Sequence, residues 1–344
     1  MQDGVAMGEG VAVRTVPVEA EPRIGFEVLS PGLFTTVQDL GRPGWQRFGV
    51  PAAGALDKYA LIAANALVGN PPGAAGLEVT LLGPVLAVVS EGLVACTGAD
   101  LGFTIDGQPA ALWQAHRVRP GQVLRFTGRR AGCRAYLAVA GGIAVPEVMG
   151  SRSTYTRARI GGLAGRPLAA GDQLPVGPLP IDWRDRDGLA LPEALRRHGL
   201  PQPVRVILGP QDDRFLPLAI ERLLGAPYRV TPNSDRMGLR LSGPKLLHRA
   251  GADIVSEGVA PGSIQVPGDG QPIVLLADRQ ATGGYAKIAT VISADMDFLG
   301  QAAPGDRVTF RAVDVATAHR LRKQRLELLA AVAEFTGTAA LAGA

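Results

Sequence analysis

The chain has 344 residues, 47% hydrophobic and 19% charged, which is enough apolar mass for about two folded domains and too little charge for a disordered one. Its 45 Gly and 27 Pro exclude a helical bundle, and aromatics at 5% leave the core to Val, Leu, Ile and Ala, so a mainly β fold of short strands and tight turns is expected. The net charge of +4 rests almost wholly on Arg without a basic stripe, and no apolar run reaches about 18 residues; neither a nucleic acid nor a membrane is expected as a partner.

Residues 1–23 have acids early and no apolar centre, so they read as a flexible tail rather than a signal peptide, and a cytoplasmic protein is expected. Short alternating runs at Ile24–Leu29 and Phe34–Val37 predict strands, followed by a Gly- and Pro-rich loop from Gln38 to Gly54. Ala55–Val68 has helical spacing and ends at Gly69-Asn70-Pro71-Pro72. Strands are expected at Val85–Val89, Leu93–Thr97, Gly102–Ile105, Val123–Phe126 and Arg134–Ala138. Cys96 and Cys133 lie in apolar stretches without paired spacing and read as two buried thiols.

This organisation divides the chain into a first β unit at 24–178, a charged, Pro-rich linker at 179–203, a second β unit at 204–313 and a C-terminal helix at 314–336. The second unit has its own helical pattern at about Asp213–Leu224, with Pro217 in its first turn. The basic run Arg320, Arg322, Lys323 and Arg325 reads as a solvated face of the last helix. A faint echo links the units: Leu82-Gly83-Pro84, Asp106–Pro109 and Arg119–Gln122 have counterparts in Ser242-Gly243-Pro244, Asp269–Pro272 and Ala303–Asp306. It favours two related barrels.

Much familiar chemistry is missing. There is no Gly-Lys pair for a Walker A loop, no GxGxxG opening a helix, no GxSxG elbow and no HExxH, and no metal site is expected. No Lys follows a Met, so the chain has no Met-Lys-Met site for covalently attached biotin. Four segments concentrate polar residues among glycines: Thr35–Asp57, Gly150–Gly162, Asn233–Gly238 and Ser256–Tyr285. Any one alone is an ordinary loop in which Asp accepts backbone N–H groups and Arg braces the turn. Together they offer two sets able to orient a small polar substrate: Gln38, Asp39 and Arg42, and Glu257, Gln265, Asp278, Arg279 and Gln280, with Gly283 and Gly284 allowing close approach to the backbone.

The same segments carry a resemblance. TTVQDLGRPGWQRFGVPAAGALD, GSRSTYTRARIGGLAGRPLAAGD, NSDRMGLRL and SEGVAPGSIQVPGDGQPIVLLADRQATGGYAKIA resemble, in order, the blocks of the biotin-dependent carboxyltransferase-like family of allophanate hydrolase subunit 2, KipA and PxpC proteins. The resemblance spans about Phe26–Phe310; the chain departs from it in its N-terminal extension and in Ala286 where many relatives have Pro. It implies two tandem cyclophilin-like β-barrels. It also implies a subunit of a 5-oxoprolinase that cleaves 5-oxo-L-proline to L-glutamate with ATP, inactive without a KipI/PxpB-like and a LamB/YcsF (PxpA)-like partner. The ATP site is then shared or on a partner.

On that reading Asp39, Glu257 or Asp278 supplies the base, while Arg42 and Arg279 bind anionic groups and Gln38, Gln265 and Gln280 orient the substrate. Asp57, Arg152, Ser153, Thr282, Gly283, Gly284 and Tyr285 complete the expected binding set. Two rival readings are carboxyl transfer to a urea-like amide with biotin supplied in trans, and a non-catalytic KipA-like regulator of a KipI-like kinase inhibitor.

Overall fold

Alternating side chains build the first sheet. In the computed structural model, which describes residues 22–197 and 203–340, the strand Arg23–Ser30 turns Phe26 and Val28 inward. It pairs antiparallel with Gln173–Val176 on one side and Val85–Val88 on the other, and Val123–Phe126, Phe103–Ile105 and Gln108–Pro109 extend the sheet. A second sheet runs in the order Phe34–Gln38, Gly76–Thr80, Ala131–Val139, Gly92–Asp100, Ala115–Val118. One apolar core, including Phe26, Leu86, Leu124 and Leu137, is shared by the two sheets. The expected tail falls, up to residue 21, outside the described residues.

The helix expected at Ala55–Val68 is α1, Lys58–Leu67. It starts later because the Asp57 carboxylate caps it, accepting from the Ala60 N–H at 2.9 Å. Every residue from Tyr59 to Leu67 is buried, and four alanines let the helix lie close on the five-stranded sheet. The segment after Val176 packs here too: Trp183 and Leu191 join the α1 cluster, and Arg186 donates to the carbonyls of Ala66 and Thr336.

In the second half an eight-stranded sheet begins with Arg307–Val308 and ends with Phe310–Ala312, two strands one residue apart in the chain. The sheet therefore curls into a nearly closed barrel around Val206, Tyr228, Ile264, Ile288 and Phe310. Helix α2 is Pro217–Gly225; it begins at the proline because Leu216 before it is held extended at ψ 148°. After the short α3, Met296–Leu299, comes α4, Val315–Thr336, capped by Asp314 at 2.7 Å. Near its start Ala318 packs on Ile292 and Ala294; near its end Leu329 and Val332 pack with α1. It straps the two halves together. Arg320, Arg322 and Lys323 are exposed as expected, but Arg325 turns inward and donates from Nε to Asp297 Oδ2 at 2.5 Å.

The sequence echo has a local cause. In Arg119–Gln122 and Ala303–Asp306 the fourth side chain accepts from the first N–H, at 2.8 and 2.9 Å, and the glycine N–H docks on Val88 O and Val230 O, both at 2.9 Å. Ala169–Asp172 repeats this on Val28 within the first half, with the side chain bond at 2.7 Å. With three copies, two of them in one half, the turn by itself does not pair the halves.

The halves meet through buried charges. Arg236 Nη1 donates to Glu78 Oε1, Nε and Nη2 each reach Asp278 at 3.0 Å, and Nη2 also donates to Gly54 O at 2.6 Å. Gly54 sits at φ +88°, where a Cβ would meet Leu40 C and Gly41 N at 2.8 Å, so the turn that presents its carbonyl requires glycine. Glu78 Oε2 accepts from Tyr136 OH at 2.7 Å and Leu56 N at 2.9 Å, and Arg134 Nε lies 3.7 Å from Oε1. Burial pushes the Glu78 carboxyl up, but Arg236 and Arg134 pull it below the usual carboxylate value. Two arginines thus balance two carboxylates out of water. Removing one partner strands the other, so Glu78→Gln or Arg236→Met is expected to lower stability by roughly 3–5 kcal/mol. An unchanged urea midpoint would show that this network does not join the halves.

Candidate functional site

The first predicted set organises two loops. Asp39 Oδ1 accepts from Gly41 N at 2.7 Å, Ser151 Oγ at 2.7 Å and Ser153 Oγ at 2.5 Å, and Oδ2 accepts from Arg152 N at 2.5 Å. Arg42 is buried and donates to the carbonyls of Ser153 and, at 3.3 Å, Val148. Burial lowers its pKa against the pull of Asp39 and Asp278. Gln38 donates to Thr36 Oγ1 and Thr154 O, at 3.0 and 3.1 Å. The Arg152 guanidinium is spent on Val145 O and Glu147, at 2.9 and 2.6 Å. The loop then crosses to the second half, where Ala53 N donates to Ala277 O at 3.2 Å, one residue before Asp278.

Asp278 and Arg279 border different hollows. Asp278 borders a hollow of about 270 Å³ with Arg134, Arg157, Asp235 and Arg236. Burial holds its carboxyl above the ordinary value, with Arg236 pulling the other way. Arg279 borders a cavity of about 360 Å³ with Gln46, Lys58, Ser293, Asp297 and Arg325. Its Nε and Nη1 donate to Val259 O at 3.0 Å and Leu276 O at 3.3 Å, which fixes the guanidinium while leaving Nη2 without a hydrogen-bond partner among the described residues. Burial lowers its pKa.

The remaining predicted residues lie on the barrel. Gln265 and Gln280 are joined at 3.3 Å and, with Tyr285, Asn233 and Gln271, line an open groove of about 650 Å³. A Cβ at Gly283 would come 2.5 Å from Gln265 Nε2, the terminal amide of that side chain, so a larger residue there would displace the amide. Thr282–Tyr285 pairs only with Asp253–Gly258, as an exposed two-stranded arm that places Gly283 opposite Glu257. Glu257 lies 2.7 Å from Lys287 Nζ and accepts from Gln211 at 2.7 Å; these hydrogen bonds hold its carboxyl below the ordinary value. The predicted residues therefore form a seam group and a barrel group. Sequence reasoning misses Glu78, Arg134, Arg236, Asp297, Gln301 and Lys58; the legible signal is a carboxylate, Glu78, inside an apolar strand.

Asp57, besides capping α1, accepts from Gln301 Nε2 at 2.7 Å, and Gln301 ties it to the Arg134 carbonyl at 3.0 Å. Burial and the charge of Asp297 raise its pKa from 3.8 to about 7. Between those values the unfolded chain has released a proton that the folded chain retains, so this group's contribution is full below 3.8 and is lost as pH rises through about 7. Asp57→Asn keeps a good cap, so the variant is expected to lose less stability than the parent between about pH 5 and about pH 8. Equal losses in thermal unfolding would show that Asp57 does not titrate there.

No helix among the described residues is long and apolar enough to cross a membrane, and no group of three or more His, Cys, Asp or Glu among them could hold a metal ion. Cys96 and Cys133 are both free and buried. Residues 48–312 match the family described as carboxyltransferase domain, subdomain A and B. The chain is 38% identical to the C subunit of the 5-oxoprolinase of Escherichia coli (strain K12) over 87% of its own length and 95% of that protein. It is 34% identical to the urea amidolyase of Saccharomyces cerevisiae over 87% of its length, but spans 17% of that protein. The solved urea amidolyase of K. lactis superposes with a TM-score of 0.84 at 32% identity, over 94% of this chain and 21% of that one. The chain belongs to the carboxyltransferase domain, subdomain A and B, family.

Proposed function

We propose that this chain is the C subunit of an ATP-dependent 5-oxoprolinase, opening the lactam of 5-oxo-L-proline to L-glutamate. The observation that carries this reading is coverage: the match to the Escherichia coli protein extends over 95% of its length, end to end at the scale of a domain pair. We read the two halves as tandem cyclophilin-like barrels at 24–178 and 204–313, with 179–203 between them. The support is that each half has its own sheets and its own apolar core.

The lactam carbonyl is resonance-stabilised and needs activation at oxygen before water can add. ATP supplies that phosphoryl group when it is bound in the assembled complex. The cationic lining of the seam cavity suits a small anionic group, and the nucleotide is assigned to a site on, or shared with, a partner. The proposed partners are a KipI/PxpB-like and a LamB/YcsF (PxpA)-like subunit. In this chain Arg279 holds an anionic group of the substrate, positioned by its two carbonyl contacts and by the Asp278–Arg236 pair beside it.

Asp39 and Arg42 position the loop that reaches the seam: the Asp39 oxygens are taken by Gly41, Ser151, Arg152 and Ser153, and Arg42 holds the Val148 and Ser153 carbonyls through Nε and Nη2. Gln265 and Gln280 offer amides matched to an amide-bearing ligand, and the exposed Glu257 carboxylate at the arm remains the candidate base. Carboxyl transfer to a urea-like amide is the second reading, favoured by the fold shared with K. lactis urea amidolyase.

Co-expression with the two proposed partners is expected to give 5-oxoproline-dependent ATP hydrolysis with glutamate formed. Arg279→Met is expected to lower kcat/KM by about tenfold or more, the loss of one charge-assisted contact. An intact complex that makes no glutamate but carboxylates urea with carboxybiotin would replace the first reading by the second.

A further inference from the structure

Charge in the seam cavity does not balance. Lys58, Arg279 and Arg325 line it with one carboxylate, Asp297. That carboxylate is already engaged: Oδ2 accepts from Arg325 Nε at 2.5 Å and lies 3.5 Å from Arg197 Nη1, and Oδ1 accepts from Lys58 N at 3.1 Å. Asp39 also acts on Lys58, but four donors occupy its oxygens. Asp57, next in sequence, holds the cap of α1 and Gln301. Lys58 Nζ thus has no hydrogen bond or ion pair among the described residues, and Arg279 contacts only neutral carbonyls.

Two further observations set the sign. Lys58 is the first residue of α1, where a cation opposes the helix dipole and an anion is favoured. Burial, together with Arg325 and Arg279, works against its charge, while Asp297 and Asp39 favour it. Two unmatched cations lining one cavity leave an excess of two charges. A carboxylate would cancel one; a phosphate group cancels both and offers enough oxygens for Nζ and Nη2 together.

We propose that the seam cavity binds a dianionic phosphate group, held by Lys58 and Arg279. The inference rests on reading the seam as the functional site, but not on the identity of the reaction. The group's source is free phosphate or a small acyl phosphate, the latter matching an activated carbonyl.

The test is calorimetric titration of the isolated full-length chain with inorganic phosphate and with acetyl phosphate, against sodium chloride at equal ionic strength. Both phosphate probes are expected to bind, and Lys58→Met or Arg279→Met to weaken binding by about tenfold or more, as the loss of a charge-assisted contact requires. Lys58→Arg keeps the charge and is expected to retain most of the affinity. Lys323→Met, on the exposed face of α4, is expected to bind as the parent does. Tighter binding of acetyl phosphate assigns the cavity to an acyl phosphate, and tighter binding of phosphate assigns it to the released ion.

No binding beyond that of chloride, or undiminished binding by Lys58→Met, overturns the proposal. If Lys58→Met does not fold, protection of Lys58 in the parent from amine-reactive labelling by phosphate replaces it, and absence of protection is the negative result. A complex that turns over 5-oxoproline while the isolated chain ignores phosphate defeats this inference and leaves the functional reading intact. Phosphate binding without 5-oxoproline turnover does the reverse.

Discussion

Arg236 is one guanidinium shared between two folded halves. From the second half it reaches Glu78 on a central strand of the first, the Gly54 carbonyl in the loop before α1, and Asp278 in its own half. A fully buried ion pair repays its desolvation only when the remaining donors and acceptors are also satisfied, and here Tyr136 and Leu56 satisfy Glu78. The geometry that results is specific. With Gly54 and Asp278 fixed to one group, Lys58 just after the loop and Arg279 just after Asp278 are brought to the same cavity. The strap of α4 adds Arg325 and closes the same seam from the C-terminal end.

The strands are largely legible because alternation is a local property. Ile24–Leu29, Val85–Val89, Val123–Phe126 and Arg134–Ala138 all fall within one or two residues of observed strands or inside longer ones. Helix starts are read too early at Ala55 and Asp213, because apolar spacing continues through a cap while hydrogen bonding does not begin until after Asp57 and at Pro217. Closure of the eight-stranded sheet by Arg307–Val308 and Phe310–Ala312 depends on long-range pairing that no window of sequence contains.

The site is legible in its residue types and less so in their grouping. Asp39 meets Ser151 and Ser153, more than a hundred residues further along the chain, through hydrogen bonds of 2.5–2.7 Å. Their separation on the chain hides that they belong together. Asp278 and Arg279 look like one polar pair in sequence, yet they line two different hollows. Lys58 is hidden by its position in a helix that otherwise reads as core, and its lack of a partner is visible only once Asp297 and Arg325 are placed beside it. The chain matches 95% of the Escherichia coli protein in sequence and superposes on about a fifth of the K. lactis urea amidolyase.

Scanning calorimetry of the parent and of Arg236→Met tests most directly whether the two halves form one cooperative unit through this seam. The account predicts one transition for the parent and two separated transitions for the variant, the halves then melting independently. Two transitions in the parent, or a single unshifted transition in the variant, would contradict it.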